Sequence, residues 1–530
     1  MPASTPTPDT ARPGFERPVL ADLIAGLSVA LVLIPQSLAY ASLAGLPPVY
    51  GLYASVLPPI AAAFFASSRY LQTGPVAVTS LLTLAALSAA AEAGSPQYLA
   101  LAPALALVVG VLRLGIGFAR AGFVAYLMSQ PVLVGFTSAA ALIIIASQIP
   151  VLVGVPVQSG QELAQAAGLV LAPGHWSGEA LALGAATVAT VVLGRRLHPL
   201  FPGVLVAAAG GIAYARWSGG QDLPLVGALP AGFPQLTVAF DPALLRELLV
   251  PGLVIALIGF AEPSAIARAL ATRERQPWSA NRELVSQGVA NVAAAVSGGF
   301  PVGGSFSRTM VNRMAGGRTR WSGAITGLCV LAFLPFASVL ATLPRAVLGG
   351  IIVSAVLGLV QLGSLWRLIA ISRPQALVGW TTFCLTLLLA PRVDLAVEIG
   401  IGLGIAVHLW REREVHVTAI YDEASARLTL RPAGVLYFGS SNVVDDALVR
   451  ALAQHPAASR LMLDLRGVGR LDYTGALVLE RVARDAIAGG LLVEVDPGPH
   501  GHVHELLQRV LRSTGLLVRW RVADETSGPD

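Results

Sequence analysis

The feature that most constrains this chain is a succession of apolar runs, each close to the length of a membrane-crossing helix. A helix needs about 20 apolar residues to span the hydrocarbon core. Only 12% of the 530 residues are charged, against about 25% in soluble domains. The chain is therefore predicted to be an integral membrane protein. Fourteen segments are predicted, near 20–44, 51–66, 73–91, 97–118, 123–148, 178–194, 201–217, 243–272, 281–298, 302–315, 321–342, 345–363, 375–390 and 393–410.

The distribution of arginine predicts the orientation of these segments. An even number of spans places both ends of the membrane region on one side. Arginine is enriched in the cytoplasmic loops of membrane proteins. With the N-terminus inside, only four arginines of the membrane region fall on the outer side, namely Arg216, Arg246, Arg345 and Arg392. The N-terminus is therefore predicted to be cytoplasmic.

Changes in composition predict three parts of the chain. Residues 1–17 are polar and rich in proline and threonine, without a signal-peptide pattern, and are predicted to be a disordered tail. Residues 18–412 are predicted to form the transmembrane transport domain. Residues 415–525 alternate short β-like runs with amphipathic helices, which is typical of a small α/β domain. This last domain is predicted to be cytoplasmic.

Two predicted segments are interrupted in a similar way. The third begins with TGPVAVTSLL at 73–82, and the tenth includes FPVGGSFSRT at 300–309. A shift of seven segments is odd, so corresponding segments would cross the membrane in opposite directions. Interrupted segments at matching places in two halves indicate an inverted-repeat transporter with its binding site between them.

A helix that begins inside the membrane leaves unpaired N–H groups and the positive end of its dipole exposed. Gly303, Gly304 and Ser305 would let an anion approach that backbone closely, and the hydroxyls of Ser307 and Thr79 are predicted donors. In the alternative interpretation, the glycines and serines only permit close helix packing. The charge of Arg308 argues for a binding site, because a buried charge in a membrane requires a cavity or a partner.

Four motifs resemble the sulfate permease (SulP) family of anion permeases that carry a C-terminal STAS domain. They are LIPQSLAYASLAGLPPVYGLYAS at 33–55, TGPVAVTS at 73–80, SFSRTMVNRMAGGRT at 305–319 and LMLDLRGVGRLDYTGALVL at 461–479. The resemblance implies a 7+7 inverted repeat with core and gate domains, homodimers, and elevator-like movement of the core. It also implies the residues that surround the anion: Gln36, Tyr40, Val76, Ala77, Gly303, Gly304, Ser305, Phe306, Ser307 and Arg308.

Glu262 is a further candidate functional residue, within the predicted eighth segment. Desolvation favours the protonated form of a carboxyl group, which suits a proton carrier. In related permeases an acidic residue in this helix is associated with cation coupling. A sodium site and a structural ion pair with Arg268 or Arg308 are the alternatives.

The terminal domain carries a modified signature. In the STAS signature that the run LDLRGVGRLDYTGAL resembles, relatives are phosphorylated after the aspartate, where this chain has Tyr473 followed by Thr474. A structural or dimer-setting role is therefore predicted. Neither the histidines His175, His198 and His408 nor the two cysteines have metal-ligand spacing, and no cofactor is expected. No nucleophile–base pattern is visible, so the chain is predicted not to be an enzyme.

The predicted function is secondary active transport of an anion across the bacterial plasma (inner) membrane. Sulfate, bicarbonate and small dicarboxylates are the candidate substrate classes, and proton symport is the predicted coupling. Sodium-coupled symport, exchange, a channel and a nucleobase permease of the same fold are the alternatives. The predicted partners are the anion, the lipid bilayer and a second copy of the chain, without nucleic acid. Substrate identity is left open by the sequence.

Overall fold

The computed structural model describes most of the chain. It covers residues 17–123, 129–156, 162–172, 174, 176–198, 200–218, 223–230, 232–234, 236, 238–412, 415–498, 501–516 and 518–520. The predicted tail apart from Arg17, the histidine His175 and residues 521–525 of the predicted terminal domain lie outside these ranges. The chain divides into two compact units, the first ending at Gly402 and the second beginning at Leu403.

The first unit is almost wholly helical. Within the described residues, eight helical stretches are long and apolar enough to cross a membrane, and shorter apolar stretches lie at Val49–Phe65 and Ala77–Ser88. Its helices, including α18, which runs into the second unit, are α1 (Leu20–Leu43), α2 (Val49–Tyr53), α3 (Leu57–Phe65), α4 (Ala77–Ser88), α5 (Pro96–Phe118), α6 (Gln130–Leu152), α7 (Glu162–Leu171), α8 (Gly178–Leu197), α9 (Gly203–Trp217), α10 (Pro242–Glu247), α11 (Leu249–Arg273), α12 (Ala280–Val296), α13 (Phe306–Met314), α14 (Trp321–Phe333), α15 (Arg345–Val356), α16 (Leu362–Ile371), α17 (Arg373–Leu388) and α18 (Val393–Glu412).

Every predicted apolar segment contains a helix, but some boundaries differ. The segment predicted at 123–148 corresponds to α6, which begins at Gln130 and ends at Leu152. A proline occupies its first turn. The helices α7 and α16 were not predicted, because each is only 10 residues long and too short to cross a membrane. The count of fourteen spans stays a prediction.

The two interrupted segments are joined by a short sheet. Strand β1 (Gln72–Gly74) pairs with strand β2 (Gly303–Ser305) in antiparallel register, with Thr73 opposite Gly304. The strands immediately precede α4 and α13 along the chain. Antiparallel pairing of corresponding segments is the arrangement expected of an inverted repeat, and it brings the starts of the two half-helices together.

The membrane helices form two groups that correspond to core and gate. In the first group α1, α3, α4, α5, α11, α12, α13 and α14 pack together, and α3, α11 and α13 contact β1 or β2. In the second group α6, α8, α9, α15 and α17 pack against one another. Helix α1 contacts both groups, touching α14 on one side and α15 on the other.

The second unit is an α/β domain with its own apolar core. Its main sheet has the order β3-β4-β5-β7-β8, with β6 paired to β4. Apart from the antiparallel β3–β4 pair, the strand pairs are parallel. The elements are β3 (His416–Asp422), β4 (Arg427–Leu436), α19 (Asn442–Gln454), β5 (Arg460–Asp464), β6 (Val468–Leu471), α20 (Tyr473–Ala488), β7 (Leu492–Asp496), α21 (Gly501–Ser513) and β8 (Arg519–Trp520).

Candidate anion-binding site

The candidate site is built on the starts of α4 and α13. Only Pro75 and Val76 separate β1 from α4, and α13 follows Ser305 directly. Because the first N–H groups of a helix have no intrahelical acceptor, both half-helices point free donors and a positive dipole end away from their own bodies. The β1–β2 pairing holds these two ends close to each other. Such an arrangement can bind an anion with backbone alone.

The glycines of β2 serve the close approach of backbone to neighbouring helices. A Cβ atom at Gly304 would lie 2.8 Å from Leu71 Cδ1 and 3.0 Å from Pro263 Cβ, and one at Gly303 would lie 3.3 Å from Val76 Cγ2. Close packing, the alternative interpretation of this motif, therefore explains part of it. The same absence of side chains keeps the start of α13 uncovered.

Arg308 joins the two half-helices and the first helix. Its side chain is fully buried, and its Nη2 donates a hydrogen bond of 2.8 Å to the carbonyl of Pro75, just before α4. Its Nη1 donates to Gln36 Oε1 of α1 at 3.5 Å. Arg308 Nε and Gln36 Nε2 are buried and have no hydrogen-bond partner among the residues that the structure describes. Because buried donors cost free energy when unpaired, two unpaired donors here indicate a place for an acceptor ligand.

Tyr40 and Glu262 lie near this cation. Tyr40 is 5% exposed and follows Gln36 by one turn of α1. Glu262 precedes Pro263 in α11, is half-buried, and interacts electrostatically with Arg308 and Tyr40. The structure therefore brings together a guanidinium, a carboxyl, an amide and a phenol around the two helix ends.

The remaining predicted site residues lie at the starts of α4 and α13. Val76 is the extended residue before α4, and Ala77 is its first residue. Ser305 precedes α13, where its Oγ accepts from the Arg308 N–H at 3.5 Å and lies 3.4 Å from Ser307 Oγ. Phe306 is 57% exposed and does not enclose the site.

Thr79 has a local partner in the structure. Its Oγ1 donates to the Val76 carbonyl at 3.1 Å. The hydroxyl proton is therefore engaged by the backbone and not available to a ligand in this structure, although the oxygen lies at the start of α4.

Two polar residues outside the predicted site support β2. Arg113 of α5 is fully buried and donates to the carbonyls of Ala256 at 3.2 Å, Ile255 at 3.2 Å and Val302 at 3.0 Å. Asn291 of α12 donates to the Val302 carbonyl at 3.1 Å and accepts from the Val302 N–H at 2.9 Å. Non-helical backbone at membrane depth requires such partners. The sequence signal for Arg113 was its place inside the apolar run 97–118.

Strand β1 is supported in the same way by side chains of the other half. The N–H of Gln72 donates to Thr309 Oγ1 at 3.0 Å, and Gln287 Nε2 donates to Thr73 Oγ1 at 2.8 Å. The Gln72 side chain donates to Ser322 Oγ at 3.2 Å. These bonds tie β1 to α12, α13 and α14, so the short sheet does not depend on its own few hydrogen bonds.

Comparison with family models identifies both units. Residues 19–382 match the sulfate permease family, and residues 417–513 match the STAS domain. No group of three or more histidine, cysteine, aspartate or glutamate residues suited to a metal ion occurs among the described residues.

The chain is similar to sulfate transporters of several organisms. It is 37% identical over 369 residues to a probable sulfate transporter of Mycobacterium tuberculosis, covering 68% of this chain and 65% of that protein. It is 34% identical over 406 residues to the chloroplastic sulfate transporter 4.1 of Arabidopsis thaliana, covering 73% of this chain and 58% of that protein. It is 31% identical over 511 residues to the sodium-independent sulfate anion transporter of Bos taurus, covering 88% of this chain and 81% of that protein. The match therefore spans less than two thirds of the first two relatives.

Two solved structures share the fold. SLC26A9 aligns with a TM-score of 0.84 at 21% identity, covering 94% of this chain and 87% of that one. The transmembrane domain of the cyanobacterium bicarbonate transporter BicA aligns with a TM-score of 0.63 at 25% identity, covering 71% and 96%. The first likeness extends through both units, and the second is to a transmembrane domain alone.

Proposed function

Because the chain belongs to the sulfate permease family, a family of transporters and not of enzymes, we propose that it moves a small anion across the bacterial plasma membrane by secondary active transport. The observation that carries this proposal is the meeting of two half-helix starts at Arg308 and Gln36. Both side chains hold a buried donor without a partner among the described residues. These donors, two dipole ends and one cation suit a ligand with negative charge and several acceptor atoms.

The proposed substrate class is sulfate, bicarbonate or a small dicarboxylate. Oxyanions present several acceptor oxygens, which match donors that approach from α1, α4 and α13. The relatives named above as sulfate transporters, and BicA as a bicarbonate transporter, support this class.

We propose that Glu262 couples transport to protons. An ionised Glu262 places a negative charge near Arg308 and opposes the binding of a second negative charge. Protonation removes this opposition, so proton and anion favour each other's binding by the same factor. Sodium is the alternative coupling ion, and it would require several oxygen ligands around one carboxylate.

The proposed movement is elevator-like, in a homodimer with the N-terminus and the STAS domain in the cytoplasm. The β1–β2 pairing and the Arg308 bonds link α1, α4 and α13, which supports their movement as one body with the anion. The excess of arginine at one set of segment ends supports the orientation.

A proteoliposome experiment tests this function. Purified protein is reconstituted, and uptake of labelled sulfate, bicarbonate, chloride, succinate and uracil is measured with imposed proton or sodium gradients. Accumulation of an oxyanion driven by an acidic exterior is the expected result. Accumulation that follows a sodium gradient at constant pH would show that sodium, and not the proton, is the coupling ion. Anion flux that only runs down the anion's own gradient would indicate a channel. Uptake of uracil without any anion would overturn the proposal.

A further inference from the structure

A cavity of about 600 Å³ lies between the two helix groups, next to helices of the candidate site. One wall comes from the end of α1, the turn that follows it and Leu84 of α4. The other wall comes from α6 and α15, which belong to the second group. None of the residues predicted to surround the anion lines this cavity.

The cavity is close to the candidate site along two helices. Ser42 and Leu43 of α1 line it and follow Tyr40 by two and three residues, which corresponds to about 3–5 Å along a helix axis. Leu84 lies seven residues after Ala77, the first residue of α4, or about 10 Å along that helix. The cavity therefore lies toward the C-terminal ends of α1 and α4, where both helices reach the face predicted to be external.

The chemistry of the cavity wall favours anions. Arg345 is the charged residue of the lining, and the polar side chains beside it belong to Ser42, Ser147 and Gln148. No carboxylate belongs to this lining as the structure describes it. Arg345 is also the first residue of α15, so its charge adds to the positive end of that helix.

The position of Arg345 is held by backbone contacts. Its N–H donates to the Pro224 carbonyl at 2.8 Å, and its Nε donates to the Leu225 carbonyl at 3.0 Å. The Nε bond fixes the base of the guanidinium and does not use the two terminal nitrogens. Gln148 Nε2 donates to Ser147 Oγ at 2.9 Å, which orders the polar part of the opposite wall.

We propose that this cavity is a vestibule that collects small inorganic anions or carboxylates before they reach the site at Arg308. A cation in a cleft with apolar walls concentrates anions, because the low-dielectric walls focus its field. The vestibule is a weaker binding place than the main site, since it offers one guanidinium and a few amide and hydroxyl groups. Its place on the transport route rests on the proposed function, whereas its preference for anions does not.

Charge-selective labelling tests the vestibule without relying on transport. In the full chain, Cys329 and Cys384 are replaced by serine, and the exposed vestibule residue is changed by Ser42→Cys. Cells are treated from outside with a membrane-impermeant thiosulfonate that is either anionic or cationic, and the ratio of the two labelling rates is measured. Adding Arg345→Gln is expected to lower the anionic-to-cationic ratio about tenfold.

Three controls identify the cause of such a change. Arg345→Lys keeps the charge and should retain the ratio, which also separates charge from disturbed folding. Arg216→Gln removes an exposed arginine outside the vestibule and should leave the ratio unchanged. Ser88→Cys places the thiol at the exposed end of α4 outside the lining, and its ratio should not depend on Arg345.

Two results would overturn the proposal: an unchanged ratio in Arg345→Gln, or the absence of external labelling in Ser42→Cys while Ser88→Cys is labelled. A second readout connects the vestibule to transport, because Arg345→Gln should raise the external half-saturation concentration for labelled sulfate several-fold at an unchanged maximal rate. If the wild-type chain transports no anion but shows the charge-selective labelling, the proposed function fails and the vestibule stands. If transport is normal and the labelling ratio does not change in Arg345→Gln, the vestibule proposal is rejected and the proposed function stands.

Discussion

Arg308 and Gln36 of the candidate site each contact a neighbouring element and keep one buried donor without a partner among the described residues. Arg308 uses one terminal nitrogen to hold the Pro75 carbonyl, while its Nε stays without a partner among the described residues. The same division holds for Gln36, whose oxygen accepts from Arg308 and whose Nε2 has no partner in the described part of the chain. A substitution at either position therefore changes both the shape of the site and its donors.

We expect Arg308→Ala to lower anion affinity without preventing membrane insertion. A hydrogen bond to a charged group contributes about 1.5–3 kcal/mol, so the half-saturation concentration should rise roughly 10- to 150-fold. The measurement is the concentration dependence of labelled anion uptake, and Ser305→Leu should act in the same direction by covering the start of α13. Arg313→Ala is the matched control, since this arginine of the same helix pairs with Glu274. Unchanged uptake kinetics in both site variants would reject the site.

Glu262→Gln is expected to separate binding from coupling. The amide imitates the neutral carboxyl, so the variant should bind anion and allow exchange or downhill flux. It should not concentrate substrate under a proton gradient, because it carries no exchangeable proton. In the wild type, uptake should rise as the outside is acidified, since protonation leaves Arg308 unopposed. Full accumulation by the variant would exclude Glu262 from the coupling mechanism.

At the scale of elements, the sequence predicted where helices break but not how the breaks are stabilised. The repeated Pro-Val and small-residue pattern at 73–82 and 300–309 was visible, and it predicted one binding site between the two breaks. The pairing of β1 with β2 was not predicted, because strands of three residues have no measurable periodicity. Arg113 and Asn291 were missed as supports of Val302, since contacts between distant helices leave no local pattern in a single sequence.

Strand β2 should not tolerate a branched side chain at its centre. Gly304→Val would place carbon atoms against Pro263 of α11 and Leu71, where even a Cβ lies at 3.0 Å and 2.8 Å. We expect the variant to lose most transport and to unfold at lower temperature in detergent, with a cost of about 1–3 kcal/mol. Gly363→Ala is the control, because a Cβ at this exposed helix position meets no atom within 4 Å. Normal transport by Gly304→Val would mean that β2 is not closely packed in the working protein.

The end of β5 carries a carboxylate whose loss should destabilise the second unit. Hydrogen bonds from Arg466, together with that of Arg431, hold the pKa of Asp464 well below its usual range. A lowered folded-state pKa stabilises the domain fully above the unfolded-state value near 3.9, and this stabilisation is lost progressively as the pH falls from that value toward the folded-state pKa. Asp464→Asn should therefore lower the midpoint of thermal unfolding at pH 7, with a shrinking difference from the wild type toward pH 3. A difference that does not change between pH 7 and pH 3 would contradict this cause.

For the whole molecule, hydropathy predicted the division between a helical membrane part and an α/β domain. Each predicted apolar segment contains a helix, because span length and low charge are dictated by the bilayer itself. The helices α7 and α16 were not predicted because each has only 10 residues, fewer than a separate membrane-crossing helix needs. The bounds of the domains, at 18–412 and 415–525, stay predictions.

Removal of the second unit is expected to leave a working transporter. A chain that stops near residue 414 retains β1, β2, α4, α13 and the whole candidate site. We expect it to insert and to transport at a reduced rate, measured as initial uptake per reconstituted protein. The full-length chain carrying Asp464→Asn provides a comparison in which the domain is present but weakened. A truncated protein that is folded in the membrane yet moves no anion would assign the domain to the transport step itself.

The proposed construction of the site from backbone has an evolutionary consequence. Peptide N–H groups at the starts of α4 and α13 are present with every side chain except that of proline, so most substitutions leave them in place. Such donors recognise charge and size and are indifferent to whether sulfur or carbon carries the oxygens. New substrate preferences must then arise by exchange of the few side chains that border them, Gln36 and Tyr40 among them. Homologous transporters can in this way acquire a different anion preference while the backbone of the site is retained.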